Sequence, residues 1–137
     1  MKMTARRMAL PLILLAGGQS LTGCAVVHGP EQLTLDAIRV ERVHSPFIKV
    51  RAPSLAPDAG GFVVKGELAR HLPGHTPVHG HVHVEVLDTE QRLLRRIDAE
   101  PSKTGLISRV ARFSVFVDTD PARVGALRVV HHANHSG

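Results

Sequence analysis

Apolar and polar residues alternate with a period of two along most of the chain after residue 61. This period is that of a β-strand that buries one of its faces. Val82, Val84 and Val86, for example, alternate with two histidines and a glutamate. The alternation predicts five strands in this part of the chain, over residues 62–68, 77–87, 92–97, 109–117 and 124–131.

The part of the chain before residue 62 is less regular. Residues 33–43 (LTLDAIRVERV) fit alternation only with a slip, so a helix and a strand are both compatible with them. The alternation over residues 38–41 favours a strand. Residues 47–50 form a second short apolar run. Residues 53–61 (PSLAPDAGG) carry two prolines and a glycine pair, which predicts a loop.

These segments together predict an all-β fold of about seven short strands. Strands with one apolar face are stable when two antiparallel sheets pack face to face, so we expect a β-sandwich over residues 33–132 and a polar tail over 133–137. In outline, residues 61–132 resemble the small immunoglobulin-like sandwiches of exported bacterial proteins. The cysteine and tryptophan that mark true immunoglobulin domains are absent from this stretch. Periodicity does not determine the order of the strands.

The first 23 residues have a different character from the rest. Lys2, Arg6 and Arg7 precede an apolar run over residues 9–16 (ALPLILLA), and small and polar residues follow it. This order is typical of a secretory signal peptide. The apolar run is far shorter than the roughly 20 residues that a membrane-spanning helix needs.

The predicted signal peptide ends in the motif LTGC, whose last residue, Cys24, is the only cysteine of the chain. The motif resembles the lipobox of bacterial lipoproteins, in which leucine stands three residues before an invariant cysteine. The resemblance covers residues 1–24 and implies cleavage before Cys24, diacylation of its thiol and acylation of the new amino terminus. Residues 24–32 would then form a tether, and Ala25 implies sorting to the outer membrane. The alternative is an ordinary signal peptide followed by an unmodified cysteine.

The net charge of +5 gives little support to a nucleic-acid partner. Residues 1–23 hold three basic residues and no acidic one, so removing them leaves a charge of 5 − 3, or +2. The chain has no Trp or Tyr and four Phe, whereas proteins that stack single-stranded nucleic acid need exposed aromatic rings. We therefore expect no nucleic-acid partner. The predicted lipid anchor implies contact with the membrane, and an envelope protein is the other partner that we expect.

Ten histidines are present, and all of them follow Cys24. Residues two apart on a strand point the same way and lie roughly 6.5–7 Å apart. Two imidazoles at that spacing can approach one ion, each at about 2.0–2.1 Å. His81 and His83 form the best pair, with His79 or Glu85 as a third ligand. Imidazole suits Zn, Cu and Ni, so these four residues are the candidate ligands of a transition metal.

Other interpretations of the histidines stay open. They can be the polar residues of a solvated strand face, they can bind metal as weakly as a histidine tag, or they can sense pH. A second group, His131, His132 and His135, lies near the end of the chain. His131 and His132 point to opposite faces if the last strand continues through them, so they cannot chelate one ion together there. In a flexible tail they could.

No nucleophile elbow, phosphate-binding loop, dinucleotide fingerprint or HExxH motif is present. The sequence therefore predicts a lipid-anchored, non-enzymatic binding or structural domain in the cell envelope, facing the periplasm from the outer membrane. The alternative function is a periplasmic lipoprotein that binds Zn, Cu or Ni through its histidine-rich strand face.

Overall fold

The computed structural model describes residues 29–71, 78–103 and 109–133. The predicted signal peptide, Cys24, His75 and the end of the predicted tail lie outside these ranges. Within them the chain forms one α-helix and nine strands: α1 Pro30–Asp36, β1 Arg39–Val43, β2 Ile48–Val50, β3 Ser54–Asp58, β4 Gly61–Arg70, β5 His81–Leu87, β6 Leu93–Ala99, β7 Ser102–Lys103, β8 Val110–Val117 and β9 Ala126–His132. A short 3-10 turn, Pro121–Arg123, precedes β9.

The strands form two sheets that enclose one apolar core. Sheet A has the order β1-β9-β5-β6, and sheet B has the order β2-β4-β8-β7, with β3 also paired to β4. The core takes side chains from both sheets; the largest that are fully buried include Phe62, Leu68, Val82, Val84, Leu127 and Val129. The predicted all-β sandwich is therefore confirmed.

The alternation along β8, and at the three valines of β5, corresponds to burial as expected, whereas His83 on the other face of β5 is buried as well. Val82, Val84 and Val86 are fully buried, and every second residue of β8 is buried from Ala111 to Val117. The period of two in the sequence thus identified the inward face of these strands correctly, because only one face of each sheet contacts the core.

One strand pair departs from the antiparallel arrangement that we expected. β1 pairs with β9 in parallel, with Arg39 opposite Ala126 and Val43 opposite Val130. A parallel pair needs a long connection, and here β2 to β8 all lie between the two strands. Alternation reports which face is buried and carries no information about the direction of the neighbouring strand.

The ambiguous segment over residues 33–43 divides between the two structures that it allowed. Residues up to Asp36 belong to α1, so the preference for a strand was wrong there, whereas β1 starts at Arg39 as a strand. Pro30 begins the helix, where its missing N–H has no intrahelical partner to lose. α1 buries only Leu35, too little for a helical period to show in the sequence. Among the described residues, no helix is both long and apolar enough to cross a membrane.

Two strands occur outside the predicted ones, and the first of them, β3, lies in the predicted loop over residues 53–61. β3 pairs with β4 through a two-residue turn, in which Gly60 has a φ of +79° that glycine adopts without strain. Pro57 is tolerated in β3 because, in the described part of the chain, β3 pairs on one side only. β7 has two residues and pairs with β8. Both strands are edge strands, whose weak apolar pattern resembles that of a loop.

Candidate metal centre

Three histidines meet on the outer face of sheet A. β5 and β9 are antiparallel neighbours, and their register places His81 directly opposite His132. His83 lies two residues after His81, so its side chain leaves the strand on the same face. Val82, the residue between them, points inward and is fully buried. His81, His83 and His132 are called the histidine cluster below.

The imidazoles of the histidine cluster are in contact. One ring nitrogen from each histidine can be chosen so that all three lie within 4.8 Å of one another. The rings of His81 and His132 stack with their centroids 5.0 Å apart, and those of His83 and His132 are 4.5 Å apart. Nε2 of His132 lies 3.0 Å from Nδ1 of His83. Three imidazole nitrogens, which are possible ligands of one metal ion, thus lie close together.

Gly80 permits the close approach of β5 and β9 at this end of the sheet. Its φ is +97°, and a Cβ atom built on it would overlap the backbone carbonyl of His132. A residue with a side chain would push the start of β5 away from the end of β9. Gly80 therefore supports the register that places His81 opposite His132.

Arg96 determines which nitrogen of His83 carries the proton. Its Nη2 donates a hydrogen bond of 2.9 Å to Nδ1 of His83. A guanidinium can only donate, so Nδ1 must be unprotonated. Nε2–H of His132 is then the donor in the contact with that same atom. The proton of neutral His83 lies on Nε2, which is 3.5 Å from a carboxylate oxygen of Glu85.

Glu85 is held beside His83 by a row of charged side chains that crosses the sheet. Its second carboxylate oxygen accepts a hydrogen bond of 3.1 Å from Arg128. Arg128 also donates to Glu41 on β1, at 3.2 Å. The carboxylate of Glu85 therefore faces the Nε2 side of His83, away from the nitrogen that contacts His132.

Burial keeps His83 neutral. Only 3% of the residue is exposed, and this burial lowers its pKa. The positive charge of Arg96 lowers the pKa of His83 further, as a proton on His132 would, while Glu85 and Asp98 oppose this shift. A neutral imidazole is the form that binds a metal ion, so His83 is prepared as a ligand without the loss of a proton.

His131 lies on the opposite face of β9 from His132, as predicted for a continuing strand. It is 3% exposed. Its Nε2–H donates to the backbone carbonyl of His79 at 2.8 Å, and its Nδ1 accepts from the hydroxyl of Ser45 at 2.8 Å. His131 thus connects the segment after β1 to the segment before β5, and it takes no part in the histidine cluster.

The structure brings together two of the four residues that the sequence offered as ligands. His81 and His83 belong to the cluster. Glu85 contacts His83 but lies on its other side. The side chain of His79 is exposed and is not among the grouped residues, because Gly80 interrupts the strand between it and His81.

His132 is the cluster member that was not among the predicted ligands. Its place depends on the pairing of β5 with β9, which joins residues that are 51 positions apart. Alternation within a strand cannot show that pairing. The three histidines near the end of the chain are the signal for it in the sequence, whereas the four predicted ligands all lie in one predicted strand.

In the metal-free protein, the free energy of unfolding is expected to fall as the pH drops below about 6.5. Burial lowers the folded-state pKa of His83 and of His131, so at mildly acidic pH the unfolded chain binds more protons than the folded one. Stability is complete above the unfolded pKa and is lost progressively below it. For two histidines, the slope of the free energy of unfolding against pH reaches at most about 2.7 kcal/mol per pH unit.

Urea unfolding with a chelator present, between about pH 7.5 and about pH 5, measures this slope. The His131→Gln variant is expected to show roughly half of it, because His83 still titrates. A free energy of unfolding that stays constant over this range would contradict the burial of both neutral imidazoles.

Comparison of the chain with protein families, with curated proteins and with solved structures finds no match in any of the three. The resemblances to a lipobox and to immunoglobulin-like sandwiches therefore stay predictions. What the histidine cluster can do has to be inferred from the contacts, charges and burial of its own residues.

Proposed function

We propose that this protein binds one transition-metal ion through His81, His83 and His132, as a lipid-anchored protein of the cell envelope. The observation that carries the proposal is the convergence of three imidazole nitrogens within 4.8 Å. Histidines scattered over a solvated strand face have no reason to meet in this way. A site of three neutral nitrogens suits Zn²⁺, Cu²⁺ or Ni²⁺ and does not suit Mg²⁺ or Ca²⁺, which prefer oxygen ligands.

One nitrogen–nitrogen distance in the cluster is close to that between two ligands of a coordinated ion. Two ligands of tetrahedral zinc lie about 3.3 Å apart, because each zinc–nitrogen bond is about 2.0–2.1 Å. Nδ1 of His83 and Nε2 of His132 are 3.0 Å apart. His81 and His132 are only half-buried, so their rings can rotate to complete the geometry. Three protein ligands would leave the fourth position of the ion for water or a ligand from a partner.

The surroundings of His83 support the same function. A histidine that binds metal through one nitrogen usually donates its other N–H to a carboxylate, which fixes the ring. With Nδ1 directed at the cluster, Nε2–H of His83 faces Glu85 at 3.5 Å. Arg128 holds that carboxylate in place. Glu85 is thereby assigned an orienting role rather than that of a direct ligand.

Isothermal titration of tag-free protein with each metal chloride tests the proposal. We expect one ion per chain with a dissociation constant below about 1 μM, which corresponds to about −8 kcal/mol. Copper is expected to bind most tightly, following the usual order of divalent ions. A stoichiometry above one, or binding no tighter than about 1 mM, would instead indicate the weak adventitious binding of separate histidines.

Anchoring at Cys24 is a separate part of the proposal, supported by the order of charge, apolar run and LTGC motif. Mass spectrometry of protein extracted from membranes is expected to find a chain that begins at an acylated Cys24. Replacing Cys24 by serine should move the protein from the membrane fraction to the soluble one, since stable anchoring needs more than one acyl chain. Unprocessed protein, or an unmodified thiol, would contradict this part and leave the metal site untouched.

The interpretation as a non-enzymatic domain that binds an envelope partner is compatible with a metal site. An ion with an open position could be passed to that partner or be coordinated by it.

A further inference from the structure

We propose that Arg96 competes with a metal ion for Nδ1 of His83, so that a cation of the protein's own chain occupies this nitrogen until an ion displaces it. The inference rests on the proposed function, since it describes how the same site is regulated. The guanidinium of Arg96 must leave Nδ1 of His83 before an ion can bind there.

The competition follows from the single lone pair of that nitrogen. Nδ1 of His83 accepts from Nη2 of Arg96 at 2.9 Å and from Nε2 of His132 at 3.0 Å. A metal ion would need the same lone pair at about 2.0–2.1 Å. Both hydrogen bonds therefore have to break, and the proton on Nε2 of His132 has to move to its Nδ1. The guanidinium would in addition be repelled by the charge of the ion.

Arg96 has carboxylates to receive it after displacement. It lies on β6, an edge strand of sheet A, and its side chain is exposed to solvent. Glu85 is its direct partner across the strand pair. Asp98 is two residues further along β6, on the same face, and stands opposite His83. A short rotation of the side chain can thus exchange His83 for a carboxylate.

This arrangement would make the site selective. An ion that binds imidazole strongly gains enough to displace the guanidinium, whereas a hard cation that binds imidazole weakly does not. Arg96 is therefore a specificity-determining residue of the site, although it is not a ligand.

The test compares Arg96→Met with Arg95→Met. Both variants remove one positive charge from neighbouring exposed positions of β6, but Arg95 lies on the other face and its nearest acidic partner is Asp118, at 4.0 Å. We expect zinc to bind Arg96→Met at least about tenfold more tightly than wild type, a change of about 1.4 kcal/mol. For Arg95→Met we expect a change of less than about twofold, because a screened surface charge contributes little.

A second measurement uses the unaltered protein. On saturation with zinc, the side-chain nitrogen signals of Arg96 in the NMR spectrum should shift as its bond to His83 breaks, while those of Arg95 stay in place. This readout does not depend on the folding of a variant.

The outcomes separate the two proposals. Zinc binding that is equally tight in wild type and Arg96→Met, or equally strengthened in both variants, would overturn the role of Arg96 and leave the metal site standing. Arg96 signals that do not move at saturation would do the same. An absence of specific binding in all three proteins would overturn the metal site, and the competition with it.

Discussion

Replacing His132 by alanine is expected to weaken zinc binding by at least about 100-fold. Loss of a partner in the outer sphere of a metal ion costs up to about 100-fold, and the loss of a proposed direct ligand should cost no less. His132 contacts both other members of the histidine cluster, stacking on His81 and approaching Nδ1 of His83. Without it only two imidazoles of the cluster remain, both on β5, with their ring centroids 6.5 Å apart. Isothermal titration at neutral pH, with unfolding followed in parallel, measures the effect.

The matched control for this variant is His79→Ala. The sequence placed His79 beside His81 as a candidate ligand, whereas its side chain in the structure is exposed and outside the cluster. The hydrogen bond that His131 donates is accepted by the backbone carbonyl of His79, which alanine retains. We expect zinc affinity to change by less than about twofold in this control, since no outer-sphere partner is lost either. Equal losses in both variants would contradict the assignment of ligands to the three strand residues.

Replacing Gly80 by alanine is expected to destabilise the protein by roughly 3 kcal/mol and to abolish tight metal binding. Alanine at a φ of +97° is strained, and its Cβ atom would overlap the carbonyl of His132. Relief of that overlap moves the start of β5 away from the end of β9. Because His81 and His132 face each other across that pair, the geometry of the cluster is lost together with the stability. Urea unfolding and zinc titration of the same preparation measure the two effects.

Gly60→Ala separates strain from overlap. Gly60 also has a positive φ, of +79°, but a Cβ atom there would have nothing within 4 Å. This variant should carry the backbone strain alone, about 1–2 kcal/mol, and should bind zinc as wild type does. If Gly80→Ala were no more harmful than Gly60→Ala, the close approach at His132 would not be the reason for the glycine.

The parts of the fold that the sequence revealed are those that depend on neighbours along the chain. The alternation around Val84 and Val115 identified strands and their inward faces, because burial on one side imposes a period of two. The sequence did not predict the parallel pairing of β1 with β9 or the edge strand β3. Both depend on which distant segment lies alongside, and a sandwich can bury the same faces with several strand orders.

The candidate site divides in the same way. His81 and His83 share a face because they are two residues apart, and the sequence therefore placed them together. His132 and Arg96 reach His83 from neighbouring strands on either side, through the registers of β9 and β6. Gly80 also has a role that only the structure shows. Its positive φ ends the regular strand, so His79 does not continue the row of histidines.

The parallel pairing of β1 with β9 has a consequence for how the domain would stand on a membrane. It places the start of β1, which follows α1, beside Ala126, while His132 lies six residues further along β9. α1 also contacts the 3-10 turn that precedes β9, at this same end of the sandwich. Six residues of strand span about 20 Å. A chain anchored through Cys24, as proposed, would thus carry the histidine cluster at the end of the sandwich that lies away from the lipid headgroups.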